Sequence, residues 1–437
     1  MLLLENEGTK MKIKYIYSAC LEIATSDITI LTDPWFTKGA YDGTWYQFPE
    51  IDPFAYISGP DYIYISHMHP DHYDPRFLHR LFDRFGVIPI LIPDLKNNYL
   101  LCKGKSDGLT LTPTRYLDLG GTEIYIEEND TGSISDIDSA MIIHDKINRR
   151  SCLNLNDCIF NQSHVEKLQN IICGFSENID LLALAYTGAG PFPQTYFDLN
   201  TEKNLLLEKA KIKKQQFFDR YLRYTDSFQA THHMPFAGEY ILGGKLVELN
   251  KYRGVSDAFE VTEFDQKALV FNTGGHIDLV NNNVVDIRGE RHSQNDLNKK
   301  LKEIEIRQFD YETDFSLPCE RIDFFRLLKK AAVNALIKAE LKEQYYFIFS
   351  ITENDKVIQR FSCNCMNAEI VELNVREEIK YDFYSDIFID YRCLFGLITT
   401  VYHWNNAEVG SIYFTKRYPI DNYDIKANKF LNFFSIA

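Results

Sequence analysis

Apolar and polar residues alternate from Met11 to Trp35: Ile13, Tyr15 and Tyr17, then Leu21 and Ile23, then Ile28, Ile30 and Leu31, with Ser26-Asp27 between the last two runs. Period-two alternation puts successive side chains on opposite faces of a strand, so this stretch predicts an antiparallel meander ending at Thr32-Asp33-Pro34-Trp35-Phe36. Asp61 to Ile65 is dense in aromatic and β-branched residues and predicts a buried strand. From Pro75 to Phe85 the spacing becomes helical, with Phe77, Leu78, Leu81 and Phe82 on one side. Val87 to Ile92 is extended again, giving a strand–loop–helix–strand unit. Strands are also expected over 122–126, 139–143 and 152–158. An apolar strand over 181–184 runs into a Gly/Pro-rich loop at 185–193. Residues 201–222 predict a helix whose Lys203, Lys209, Lys211, Lys213 and Lys214 form a solvated face.

Beyond about residue 285 the pattern changes. Arg291 to Arg307 is polar and charged and reads as a linker or exposed helix. Arg326 to Lys342 carries Leu327, Leu328, Ala331, Ala332, Leu336 and Leu341 at amphipathic helical spacing. Strands are expected over 345–351, 357–361, 370–373 and 398–402, giving a small α+β unit with a helix on an antiparallel sheet. The division that results is 11–285, a linker or exposed helix over 286–325, and 326–437. The last unit is expected to close over the site or to make a homodimer contact.

One stretch changes the picture from fold to chemistry. His67, His69, Asp71 and His72 form H-x-H-x-D-H just after the 61–65 strand. On extended chain the rings of His67 and His69 point the same way and can share one metal, while Asp71 and His72 turn towards a second. Imidazole with carboxylate suits zinc, iron or manganese. Asp157, at a later strand end, is the kind of carboxylate that a bridging role requires. Asp33, at the end of the meander, is a candidate supporting carboxylate behind the ligands. The Gly-, Pro- and Tyr-rich stretch 37–60 reads as a functional loop with Trp45 and Tyr46 as substrate walls. In the 185–193 loop, Thr187, Gly188, Gly190 and Phe192 are candidate substrate contacts.

Composition narrows the partners. A formal net charge of −15 argues against nucleic acid or an anionic membrane as the main partner. No apolar run approaches the length of a membrane span, and Met1 to Glu7 has no secretory pattern. Nine cysteines without a C-x-x-C pair fit free thiols in a reducing cytoplasm. The expected partner is a small-molecule substrate.

These residues resemble the metallo-β-lactamase superfamily, and within it the metallo-β-lactamase-like part of the CMP-N-acetylneuraminate hydroxylase branch. The resemblance rests on 19–23, Asp33-Pro34-Trp35-Phe36, the histidine cluster, 155–158, 187–193 and Pro235-Phe236-Ala237-Gly238. It implies an α+β fold, an αββα sandwich with a smaller C-terminal α+β domain. It also implies two ions of zinc or iron, with Asp71 or Asp157 orienting the reacting water. The superfamily's further histidine, sought near Ile134-Ser135, is missing, and His144 and His164 are nearby substitutes. A last histidine is implied just before 234–238, where His233 is the candidate. The branch's Rieske cluster needs C-x-H and C-x-x-H type ligand pairs, which this chain lacks.

Three functions follow from that set. The leading expectation is a hydrolase that uses a metal-bound hydroxide on a small ester, amide, lactone or phosphoester. The second is a non-haem di-iron oxygenase acting on a nucleotide sugar or natural-product intermediate, with a separate electron-transfer protein. The third is a binding or regulatory protein with a degraded metal site.

Overall fold

The computed structural model describes residues 11–132, 137–339, 344–421 and 424–437. The readings at Met1 to Glu7, at Ile134-Ser135 and at the end of the 326–342 helix lie outside the described residues.

The meander forms as its alternation requires: Lys12–Tyr17, Cys20–Ala24 and Thr29–Thr32 pair antiparallel. Thr29–Thr32 then pairs parallel with Tyr62–Tyr64, which continues in parallel through Ile90–Pro93 to Leu111–Thr114. Phe271–Asp278 and Asn283–Ile287 close the other edge, making eight strands. A second sheet of six strands has the order Ala230–Phe236, Ile179–Ala185, Arg150–Asn154, Asp138–Asp145, Thr122–Asn129, Tyr116–Asp118.

Alternation assigns the layers. Met141, Ile143, Leu181 and Ala183 meet Ile13, Leu21, Ile23 and Ile30 of the first sheet in a core between the sheets. Their neighbours Ala140, Ile142, Leu182 and Leu184 face outward, onto Val165 and Leu168 of the Gln162–Ile172 helix and Tyr221 and Tyr224 of the Lys203–Ser227 helix. On the far side Ile63, Ile65, Ile90 and Ile92 pack against Phe77, Leu78 and Leu81 of the Pro75–Phe85 helix. The order helix, sheet, sheet, helix is the αββα sandwich.

A third sheet holds Tyr346–Glu353, Lys356–Asn364, Glu369–Glu372, Tyr384–Asp390 and Phe414–Tyr418. It corrects two expectations. The sheet is mixed, because Tyr346–Glu353 and Tyr384–Asp390 run parallel. Ile398 to Tyr402 is no strand: Tyr391–Ile398 is a helix and the chain turns after it, with Thr400 at φ 67°. Its β-branched residues favour a strand locally, but Leu394, Leu397 and Ile398 are buried on a helical face.

The 286–325 stretch holds a largely exposed helix. Gln294–Ile304 is a helix capped by Ser293, and its Ile304 is buried against Tyr46 and Ile241. The core of the third sheet, with Phe347, Phe349, Leu394, Trp404 and Phe430, is continuous with the outer layer of the first. Among the described residues no helix is long and apolar enough to cross a membrane.

Candidate metal centre

Two neighbouring parallel strands end side by side and deliver the first residues of the site. The Thr29–Thr32 strand leads to Asp33 and the Tyr62–Tyr64 strand to Ser66 and His67. Asp33 sits at φ 38°, a left-handed conformation uncommon for a non-glycine residue. That bend lets its Oδ1 accept from the Ser66 amide at 2.8 Å and sets its Oδ2 3.3 Å from His72 Nδ1. The amides of His72 and Tyr73 both donate to the His69 carbonyl, folding the motif into a turn. Asp74 then caps the Pro75–Phe85 helix through the Phe77 amide and also accepts from the amides of Phe36 and Thr37. It thereby ties the two loops together.

Each ring of the cluster has one nitrogen turned inward and the other backed. His67 Nε2 lies 2.9 Å from His69 Nδ1. The other His67 nitrogen, Nδ1, lies 3.0 Å from Ser66 Oγ and 3.5 Å from Asp138 Oδ1. His72 Nε2 is 3.6 Å from Asp71 Oδ2 and 3.5 Å from Asp157 Oδ2. Its Nδ1 faces Asp33. His69 is turned the other way about: its Nε2 donates to Asn405 Oδ1 at 2.8 Å. The free oxygen of Asp71, Oδ1, accepts from the buried Tyr41 hydroxyl at 2.5 Å.

This donor set fits a metal. Ligand atoms of His67, His72 and Asp157 lie within 4.8 Å of one another. Spacings of 3.5–3.6 Å are long for hydrogen bonds. They approach the separation of two donors that each sit about 2.1 Å from one ion. Asp157 Oδ1 is buried with no hydrogen-bond partner among the described residues, a costly state that a cation would relieve.

The electrostatics agree. Burial holds the His67 imidazole well below its ordinary range, helped by His72 and His69. Burial also works against the His72 imidazolium, but Asp71, Asp157 and Asp33 together push its pKa well up. Burial would raise Asp157, and the charge of His72 reverses this and holds it low. A proton on His72 thus does part of what a cation would do among these carboxylates.

Other expected residues lie elsewhere. His233 is on the Ala230–Phe236 strand, where Met234 and Phe236 point between the sheets. Period two therefore turns His233 to the outer, helical face, where its Nδ1 bonds Asp265 Oδ2 at 2.7 Å. It does not join the cluster. His232 bonds Asn282, His144 stacks on Phe175, and His164 Nε2 reaches the Glu127 carbonyl. None of the three substitutes for the missing histidine.

Trp45 and Tyr46 are buried and line no open wall. Trp45 stacks on Tyr240 at 3.4 Å and lies tilted against Tyr41 at 4.3 Å, and so backs the phenol that holds Asp71. Around the 185–193 loop, Thr187 is buried and its carbonyl accepts from Arg220. Gly188 lies flat against Phe217, where an added Cβ would come within 1.8 Å of the ring. Gly190 has φ 98° and its carbonyl accepts from Gln194. Phe192 lines a cleft of about 410 Å³ together with Tyr196, Asn405, Glu408 and Arg417. Lys213 corrects the solvated-face reading: it is buried beneath this loop and donates to the carbonyls of Ala189 and Phe192.

Sequence reasoning missed Asp138, Tyr41, Asn405 and Arg220, the last of which helps to hold Asp157 low. Asp138 opens an expected strand and had a signal in its position. Tyr41 and Asn405 reach the site across the fold and had none.

Residues 12–139 match the family described as the beta-lactamase superfamily domain. The chain is 28% identical over 241 residues to a Mycolicibacterium smegmatis protein named as a Rieske 2Fe-2S iron-sulfur protein, covering 52% of this chain and 43% of that one. It is 24% identical over 244 residues to the cytidine monophosphate-N-acetylneuraminic acid hydroxylase of Xenopus laevis, covering 54% and 39%. The chain therefore spans about two fifths of the length of these relatives. Among solved structures, CmlA, a diiron beta-hydroxylase from Streptomyces venezuelae, aligns with a TM-score of 0.41 and 15% identity over 62% of this chain and 54% of that one.

Proposed function

Residues 12–139 belong to the beta-lactamase superfamily, and on that premise we propose that this chain is a metal-dependent hydroxylase that draws electrons from a separate protein. The observation that carries the metal reading is the pairing at each histidine. His67, His69 and His72 each present one nitrogen inward, with Asp138, Asn405 and Asp33 respectively behind the other. Outer acceptors of this kind orient a ligand ring and raise its basicity, and here they leave three ring nitrogens gathered with Asp71 and Asp157 in one cluster.

In this reading His67, His69, Asp71, His72 and Asp157 would hold the ions, His67 and His69 one and Asp71 and His72 the other. Iron bound there would supply the redox chemistry that activates dioxygen. Inserting one oxygen atom into a C–H bond, with the second leaving as water, consumes two electrons and two protons. In this reading the electrons come from a separate protein, in line with the kinship to a Rieske protein. Sequence kinship to a hydroxylase and to a Rieske protein over about half of this chain supports hydroxylation over hydrolysis.

The protein's own groups have separate tasks. Tyr41 holds Asp71 Oδ1, so that Oδ2 faces inward. Arg220 fixes the Thr187 carbonyl and so the start of the Gly/Pro loop. The cleft between Phe192, Tyr196 and Asn405 has the volume of a small-molecule site and admits the substrate. Hydrolysis is the second reading, favoured by a donor set of imidazole and carboxylate that accepts zinc as readily as iron.

Metal analysis and oxygen uptake separate the two readings. Protein purified without added metal should contain iron, and should consume oxygen when given a chemical reductant. Zinc at two per chain, with ester or phosphodiester cleavage and no oxygen uptake, would replace this reading with hydrolysis.

A further inference from the structure

The Trp404–Val409 helix belongs to the C-terminal unit, yet it reaches the metal cluster at two points. Trp404 anchors it: the indole is buried among Phe349, Tyr413 and Phe434, and its Nε1 donates to the Phe434 carbonyl at 2.7 Å. His403 caps the helix through the Asn405 amide. So held, Asn405 is buried and its Oδ1 meets His69 Nε2 at 2.8 Å. At the other end, Gly410 passes so close to the 40–44 turn that a Cβ there would lie 2.9 Å from Tyr41 Cβ and 3.0 Å from Thr44 Oγ1. Tyr41, at φ 52°, is the residue whose hydroxyl holds Asp71.

We propose that this helix is a positioning element of the metal centre, in which Asn405 sets the tautomer of His69 and Gly410 makes room for the Tyr41–Asp71 hydrogen bond. The inference rests on the metal reading above and adds to it that the C-terminal unit is part of the site. The chemistry is that of a neutral imidazole, which has one N–H and one lone pair. An acceptor at Nε2 keeps the proton there and leaves the Nδ1 lone pair for an ion, on the side where His67 Nε2 lies 2.9 Å away. At His67 and His72 the backed nitrogen is Nδ1 instead, facing Asp138 and Asp33. His69 alone needs its acceptor at Nε2, and this helix of the C-terminal unit supplies it.

The test uses the full chain as wild type, Asn405→Ala and Asn405→Asp. Ferrous iron is titrated anaerobically against a chelator, and the histidine tautomers of the metal-free protein are read by nitrogen NMR after histidine labelling. Wild type should take up two ions and show His69 protonated at Nε2. Asn405→Ala should lose one ion's affinity by about 10- to 100-fold and let the His69 tautomer move. Asn405→Asp keeps an acceptor and should restore both readouts. If Asn405→Ala does not fold, the nearly isosteric Asn405→Leu carries the same test. Two ions bound as tightly as in wild type, with the tautomer unchanged, would overturn this inference alone. Wild type that binds neither ferrous iron nor zinc would overturn the metal reading and this inference with it.

Discussion

The Lys213 ammonium lies beneath the Gly/Pro loop and donates to the carbonyl of Phe192 at 2.8 Å, with the Ala189 carbonyl 3.2 Å away. Burial, with the nearby charge of Arg253, pushes its pKa down to about 7. In the unfolded chain a lysine titrates near 10.4, so between pH 7 and 10 the unfolded state holds more protons than the folded one. Stability therefore rises with pH across that window, by up to about 1.4 kcal/mol per pH unit. Lys213→Met removes the titration and leaves two carbonyls without their donor, a loss of about 1–3 kcal/mol. The expected outcome is a stability gap between wild type and variant that widens from pH 6.5 to pH 9. A gap that stays constant in denaturant titrations at both pH values would show that Lys213 keeps its proton in the folded state throughout.

Gly188 tests how the same loop is coupled to Asp157. A methyl group there meets Phe217, and the Phe217 ring lies 4.4 Å under the Arg220 guanidinium. Gly188→Ala should therefore displace both side chains and cost about 1–3 kcal/mol through overpacking. Its effect on metal affinity should resemble that of Arg220→Ala, because both remove the same charge from beside Asp157. Separate effects of the two variants, additive in a double-mutant cycle, would contradict this coupling.

How much of this was legible in the chain depended on sequence distance. The cluster His67 to His72 could be read because one strand end holds all its donors. Asp33 and Asp157 could be read because each follows a run of alternating apolar residues. The layers of the sandwich followed from the same alternation, as at Met141 and Ile143 against Ala140 and Ile142. His233 shows the alternation read out of register: Met234 and Phe236 face the sheet interior, so their odd-numbered neighbours cannot. Asn405 stands 336 positions from His69, and no local pattern marks it. The 398–402 segment failed for another reason. Ile398, Val401 and Tyr402 favour a strand, but packing around Leu394 and Leu397 favours a helix, and tertiary burial outweighs local propensity.

Asp42 offers a pH test away from the metal ligands. Its Oδ2 is buried without a hydrogen-bond partner among the described residues, at φ 57° beside Tyr41. Burial, then the charges of Asp310 and Asp314, raises its pKa to about 7. The folded state thus holds a proton that the unfolded state releases near pH 4. This contribution to stability is complete below pH 4 and is lost as the pH rises through 7. Asp42→Asn stays neutral, so it should raise the melting temperature at pH 8 and change it little at pH 4.5. A variant equally stabilised at both pH values would mean that the carboxyl does not titrate in that window.

Asp33 separates the two halves of the proposed centre. It touches no inward-facing donor, since its oxygens meet the Ser66 amide and His72 Nδ1. Burial pushes its carboxyl up, while His72 and the Ser66 amide hold it down, so its charge depends on the ring it supports. Asp33→Asn keeps an acceptor for the Ser66 amide and removes the charge behind His72. Loss of an outer carboxylate typically lowers metal affinity by about 10- to 100-fold. That loss should fall on the ion held by Asp71 and His72 and spare the one held by His67 and His69. Chelator competition on Asp33→Asn, with His69→Ala as the reciprocal control, reads this directly. Equal loss of both ions in Asp33→Asn would mean that the donors form a single cooperative site, and the assignment of His72 to its own ion would fall.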